Sequence, residues 1–323
     1  MEHHRSEPRH PRRCSVTVDL STQIGSVELP NPVMTASGTA GYGPELARSF
    51  DLSTIGAVVT KSLAHFAWDG NPALRVHQTT GGMINSVGLQ GPGVTAWLTD
   101  HLPALLDTGA RVVASIWGRS VDDYRLAAEQ LAAADERVVA IEVNLSCPNT
   151  ETGRDLYAHD PEATAAVMAV TEACGRPRWA KLSPNTSELV GVAGAARDAG
   201  AEAVTLVNTV LGMAIDVENS TYRLGSGARG GGLSGPAIHP IAVRAVHDVH
   251  AAHPELPIVG VGGIASGLDA AEFVLAGASA IQVGTATFVD PAASSKVSAG
   301  LESWLLRCGS DRLTHHIGAV HEH

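Results

Sequence analysis

From residue 32 to residue 283 the chain alternates short runs of Val, Ile and Ala with Ala-rich stretches of helical character. Eight such runs stand out, at residues 32–35, 57–60, 111–115, 140–143, 178–182, 203–207, 257–260 and 280–283. Most are uninterrupted, as parallel strands buried on both faces should be. Two earlier apolar segments, 16–18 and 27–29, predict an opening hairpin. The intervening segments carry helix grammar. Asp160-Pro161-Glu162 supplies an N-cap, an N1 proline and an early acid. Ser266-Gly267-Leu268-Asp269 reads as a capping box opening a helix that Gly277 stops, and Gly200 ends another just before a strand. Eight strand–helix alternations without a composition break predict a single α/β domain over residues 14–309. The expected architecture is a (β/α)8 TIM barrel with an N-terminal β-hairpin and loops inserted at its C-terminal face; a doubly wound sheet is the competing topology.

Composition and charge narrow what such a domain could do. The formal net charge is -11, and no Lys/Arg block lies inside the folded part, so no basic stripe is offered to nucleic acid. Cys14, Cys147, Cys174 and Cys308 are scattered, with no CxxC pair and no His at metal-ligand spacing. That usage suits a reduced, cytoplasmic protein in which one Cys is chemical and the others pack; no metal is expected. No apolar run approaches the roughly 20 residues of a membrane span. Residues 1–13 are expected as a disordered tail, and residues 310–323, with His315, His316, His321 and His323, as a polar solvated one.

Barrel chemistry sits where the strands end. Reading those positions in order gives Ala36-Ser37-Gly38, Lys61-Ser62, Ser115, Asn144 to Asn149, Lys181, Asn208-Thr209, Gly262-Gly263 and Gly284-Thr285. Glycines after the seventh and eighth runs suit a phosphate, because backbone N–H groups can approach an anion closely there, and residues 231–235 could add another backbone wall. Taken singly, each Gly pair is equally well a tight turn. Lys61 and Lys181 in a barrel mouth must be paired or functional. A flavin ring with negative charge near N1, a substrate carboxylate or a structural salt bridge would each serve.

The densest chemical signal is Asn144-Leu145-Ser146-Cys147-Pro148-Asn149. A thiol just past a strand end, flanked by carboxamides and followed by a Gly-containing loop, suits an acid–base group under a lid. Asn85, Asn144, Asn149 and Asn208 suit a substrate edge that displays both N–H and C=O.

Taken together these residues resemble the dihydroorotate dehydrogenases. The resemblance runs from about residue 16 to about residue 306 and includes Met34-Thr35-Ala36-Ser37-Gly38, Thr60-Lys61-Ser62, Gly70-Asn71-Pro72, Asn85-Ser86-Val87-Gly88-Leu89-Gln90 and Lys181-Leu182-Ser183-Pro184-Asn185. It implies FMN-dependent oxidation of dihydroorotate to orotate in pyrimidine biosynthesis. Cys147 would be the base that removes the C5 proton, with the hydride passing to FMN. Lys61, Asn85, Ser86, Val87, Gly88, Leu89, Asn144, Asn149, Asn208 and Thr209 would hold the substrate. Ser37, Lys61, Ser62, Ser115, Asn144, Lys181 and Val207 would contact the flavin, and Gly235, Gly262, Gly263, Gly284 and Thr285 would surround its phosphate.

The Cys base and the lack of a membrane segment resemble class I. Gly70-Asn71-Pro72, Gly88-Leu89-Gln90 and Gly232-Leu233-Ser234-Gly235-Pro236 look most like the NAD-linked class IB catalytic subunit. That resemblance implies a homodimer within a heterotetramer whose other subunit carries FAD and an iron–sulfur cluster. Gly91 and Ser115 depart from that type, which usually has Asn at the first position and often at the second. The rival readings are the pyrimidine-reducing barrel of dihydropyrimidine dehydrogenase, tRNA dihydrouridine synthase, and a phosphate-binding barrel without catalysis.

Overall fold

The computed structural model describes residues 18–146, 157–224 and 230–323. Its first two strands, β1 (Thr22–Ile24) and β2 (Val27–Leu29), form an antiparallel hairpin joined by Gly25-Ser26, with Gly25 at φ 58°. The partner of Val27–Leu29 is thus Thr22–Ile24, while residues 16 and 17 of the expected first strand lie outside the described residues. Thr22 and Ile24 face inward and Gln23 outward, and this alternation beside a two-residue turn fixes the register.

The remaining strands follow in chain order: β3 (Val33–Thr35), β4 (Val58–Val59), β5 (Val76–Thr79), β6 (Gly82–Asn85), β7 (Val112–Ile116), β8 (Val138–Asn144), β9 (Arg178–Lys181), β10 (Ala203–Leu206), β11 (Val210–Gly212), β12 (Ile215–Asp216), β13 (Thr221–Tyr222), β14 (Gly231–Ser234), β15 (Ile258–Val261) and β16 (Ala280–Val283). Among the described residues, β3, β4, β7, β8, β9, β10, β15 and β16 form one parallel sheet in sequential order. The Met34–Ala57 bridge and the Gly56 N–H donating to Val33 O at 2.8 Å close it into a barrel. The eight runs read from the sequence are these strands, within a residue or two at their ends, and the barrel rather than the doubly wound sheet is the topology.

Helices α1 (Val94–Asp100), α2 (Leu102–Leu106), α3 (Val121–Leu131), α4 (Pro161–Val170), α5 (Leu189–Asp198), α6 (His239–Ala252), α7 (Gly267–Ala276), α8 (Ala286–Val289) and α9 (Ala293–Arg307) surround it. Asp160 caps α4, accepting from the Glu162 N–H, and Ser266 and Asp269 form a reciprocal capping box on α7. Ser120 and Asp123 form a second box on α3.

Two apolar layers explain why the strand runs are continuous. One strand face, with Val33, Val58, Val112, Ile141, Val204 and Ile281, packs on the helices. The other, with Val59, Val113, Ala140, Trp179 and Val259, fills the barrel and is closed below by Ile24, Val27 and Leu29 of the hairpin. Because side chains alternate along a strand, the inward positions nearer the C-terminal ends are Ser115, Glu142, Lys181, Thr205 and Gln282, all buried. Apolar packing thus gives way to a polar layer just beneath the mouth. Over the mouth lies an antiparallel sheet ordered β11-β14-β6-β5, built from insertions after β4 and β10.

Residues 310–323 dock on the barrel instead of running free in solvent. Leu313 is fully buried and its N–H donates to Asp19 O at 3.1 Å, while the Gly318 N–H donates to Val274 O at 2.9 Å. One buried leucine and backbone bonds outweigh a composition that reads as solvated. Residues 1–13 lie outside the described residues.

Candidate active site

The C-terminal ends of the strands open into a cavity of about 200 Å³. Ser37, Lys61, Ser62, Asn144 and Val207 form its floor and walls. Gly235, Gly262, Gly263, Gly284 and Thr285 close one end, and Asn85, Val87, Leu89 and Thr209 border the other. A second recess shares Lys61, Asn85, Val87, Leu89, Asn144 and Thr209 with the first and adds Ser86, Gly88 and Asn208. The substrate and cofactor residues expected from sequence therefore line these two recesses, except for Ser115 and Lys181, which lie beneath them, and Cys147 and Asn149. The last two lie outside the described residues, three and five positions past the end of β8.

Ser115 and Lys181 belong to the layer below the cavity and do not line it. Ser115 Oγ lies 2.9 Å from Ser62 Oγ. Lys181 Nζ donates to Ser37 Oγ at 3.1 Å and to Glu142 Oε1 at 3.4 Å. The other carboxylate oxygen of Glu142 accepts from Gln282 Nε2 at 2.6 Å and Thr205 Oγ1 at 3.1 Å. Sequence reasoning did not single out Glu142, Thr205 or Gln282. The available signal was a carboxylate interrupting an apolar strand, because a fully buried Glu needs partners. For Lys181, the structural ion pair is one of the partners weighed from sequence, and it is present here.

Lys61 differs. No salt bridge to it occurs among the described residues, and burial, with Arg75 nearby, pushes its ammonium below the ordinary lysine range. The cavity wall therefore presents a cation that an anionic ligand would relieve. Arg75 itself is held by Gln90 Oε1 and by Asn71 O, at 2.9 Å for the latter.

The glycine-lined end is shaped for close backbone approach. Gly263 has φ 70°, and a Cβ there would fall 2.8 Å from His239 Cβ and 2.9 Å from Gly235 O. Among the described residues, the N–H groups of Gly263, Gly284 and Thr285 donate to no backbone carbonyl, so they are available to an anion. Thr285 Oγ1 donates to Ser234 Oγ at 2.7 Å, which fixes the hydroxyl at this rim. These features fit a phosphate. Ser37, Ser62 and Asn85 line the same cavity beyond that end.

At the amide-lined end, Asn208 Nδ2 lies 3.4 Å from Asn144 Oδ1, and Asn144 Nδ2 lies 3.4 Å from Ser62 Oγ. Asn85 Nδ2 donates to Gly232 O at 3.2 Å, which ties β6 to β14. A Cβ on Gly232 would come within 2.1 Å of Thr209 Oγ1, so the missing side chain makes room for that hydroxyl. At Gly91 the space is filled by Tyr42: a Cβ would sit 2.7 Å from its hydroxyl, which bonds Gln90 O.

The family model for dihydroorotate dehydrogenase matches residues 19–305. The chain belongs to the dihydroorotate dehydrogenase family. It is 44% identical over 303 residues to the protein of Geobacter metallireducens named dihydroorotate dehydrogenase B (NAD(+)), catalytic subunit, covering 94% of this chain and 98% of that one. The proteins of the same name from Trichlorobacter lovleyi and Geobacter sulfurreducens are 45% and 44% identical, over 93% and 94% of this chain and 98% of each. Dihydroorotate dehydrogenases are flavin-dependent, and the glycine-lined end of the cavity, with its backbone N–H groups available to an anion, suits the phosphate of that cofactor class. No helix among the described residues is long and apolar enough to cross a membrane.

Proposed function

We propose that this chain oxidises dihydroorotate to orotate in pyrimidine biosynthesis, with FMN as its flavin. The observation that carries this reading is the pairing, in one cavity of a chain of this family, of a glycine-lined anion pocket with an asparagine-lined recess. Gly262, Gly263, Gly284 and Thr285 would hold the FMN phosphate by backbone N–H groups, with Gly235 packed beside them. Ser37, Ser62 and Val207 would lie against the ring, above Lys181 and Ser115. When bound, FMN supplies the acceptor for the hydride that leaves C6 of dihydroorotate.

The chain's own groups do the rest. Asn85, Asn144 and Asn208, with Thr209 and the backbone of Ser86 to Leu89, would orient the pyrimidine edge, each amide offering a donor and an acceptor. Asn149 would join them. Lys61, short of a counter-ion in the described structure, would draw the substrate carboxylate to the mouth. Cys147 would take the C5 proton as thiolate, a role general-base catalysis permits when the thiol lies near the carbon it deprotonates. The relatives' names, which read NAD(+) and catalytic subunit, support a partner subunit and NAD as the final acceptor. A homodimer, FAD and an iron–sulfur cluster in that partner, and a cytoplasmic location, extend the proposal on the resemblance alone.

Substrate choice tests the reading. Dihydroorotate is expected to reduce the bound flavin, whereas dihydrouracil, which lacks the carboxylate facing Lys61, is expected to do so poorly. Preference for dihydrouracil would move the assignment to the dihydropyrimidine dehydrogenase type.

A further inference from the structure

The loop after β6 carries Ser86, Val87, Gly88 and Leu89 along the recess, and its backbone is not relaxed: Leu89 sits at φ 59°. A leucine adopts that conformation only when its surroundings hold it there. One residue on the outer side of the loop does much of the holding. Trp68 Nε1 donates to Gly88 O at 2.9 Å, and the Trp68 and Gly91 backbones exchange N–H···O bonds of 2.8 Å in both directions. Leu89 packs with Phe66 against Ala64 and Trp117. The Trp68 ring is itself fixed from outside: the Arg119 guanidinium carbon lies 3.9 Å from its centroid, and 5.1 Å from that of Phe66. Arg119 is anchored by its backbone, its N–H donating to Asp123 Oδ2 at 2.8 Å and its carbonyl accepting from Tyr157 Oη at 3.1 Å.

We propose that Trp68, stacked under Arg119, is a positioning residue that holds the Gly88–Leu89 backbone in its substrate-binding shape. The inference rests on the reading of this loop as the orotate-binding loop. Trp68 is 39% exposed and contributes little to the barrel core, so its fixed orientation serves the loop. A cation on the face of a tryptophan restrains the ring, and the indole N–H transmits that restraint to a carbonyl one residue before Leu89.

The test uses the full flavin-loaded chain. Amide exchange across residues 86–91 is followed without substrate, and orotate affinity is read from the perturbation of the flavin spectrum. Trp68→Ala is expected to speed exchange in this stretch and weaken orotate binding by about tenfold, the combined scale of one hydrogen bond and one stacked cation. Arg119→Met should weaken it by ~3-fold, with Arg119→Lys recovering part of the loss. Trp68→Phe keeps a ring but removes the N–H, and falls between. The loss should appear in KM more than in kcat, with flavin content unchanged. Exchange and orotate affinity within twofold of wild type in Trp68→Ala would overturn the proposal. A wild-type chain whose spectrum ignores orotate would instead count against the substrate reading, while the exchange data, which need no ligand, still decide the role of Trp68.

Discussion

The buried pair between Glu142 and Lys181 offers a stability experiment whose size follows from geometry. Side-chain exposure is 0% for Glu142 and 4% for Lys181, and the charges meet at 3.4 Å inside the barrel. Removing one partner of such a pair leaves the other charge desolvated, at about 3–5 kcal/mol. Glu142→Gln is the suitable perturbation, because the amide keeps an oxygen for Gln282 and Thr205 while its NH2 faces Lys181 Nζ, so the charge and the acceptor for Lys181 are lost together. With an unfolding entropy near 2.1 cal/mol/K per residue, a chain of 323 residues loses roughly 4–7 °C in Tm. Lys181→Met should cost a similar amount. The double variant, in which neither charge remains, should fall short of the summed losses by about 2 kcal/mol, or roughly 3 °C. Differential scanning calorimetry of the four flavin-free proteins measures the cycle. Single variants within about 1 °C of wild type, or strictly additive losses, would show that the pair is not energetically coupled.

Further outcomes follow from the same geometry. Gly263→Ala places a Cβ 2.9 Å from Gly235 O at φ 70°, so it should lower flavin retention at least tenfold by fluorescence titration, with the barrel still folded. Gly232→Ala pushes on Thr209 from 2.1 Å and should raise the dihydroorotate KM while leaving flavin content intact. Burial lowers the folded-state pKa of Lys61, so the unfolded chain holds more protons between that value and 10.5 and stability contributed by this group rises with pH there. Lys61→Met should accordingly stabilise the ligand-free chain at neutral pH, with the gain fading as pH rises through that window. Orotate affinity of the wild type should decline at a pH below the ordinary lysine range, which a spectral titration against pH would reveal. Cys147→Ala should keep its flavin and lose most dihydroorotate oxidation in steady-state assays; near-normal turnover would remove the thiol as base.

The barrel was legible because both faces of its strands are buried, so apolar runs of Val, Ile and Ala mark them without alternation. Ser37, Lys61, Asn144, Gly262 and Gly284 were legible because barrel chemistry sits at strand ends, and those ends could be counted from the runs. The polar layer beneath was harder to read. Glu142 and Gln282 look like interruptions of strands, and only the closed barrel brings β8, β9, β10 and β16 round to face one another. The four-stranded sheet over the mouth was hidden for a related reason, since β6 pairs with β14 some 147 residues away and neither strand is markedly apolar. The strand Thr22–Ile24 that pairs with Val27–Leu29 was not marked from sequence because it is short and only Ile24 in it is apolar, whereas Gly25 and the hairpin's contact with the barrel floor decide the pairing. The C-terminal segment was read from its histidines, and its single buried leucine proved decisive.

The most direct test of the central claim is the visible spectrum of the purified chain under anaerobic conditions, before and after dihydroorotate is added. A bound flavin whose absorbance bleaches, with orotate formed in equal amount, is the expected result. A flavin that stays oxidised in the presence of excess dihydroorotate, in a chain that binds FMN and is correctly folded, would contradict it.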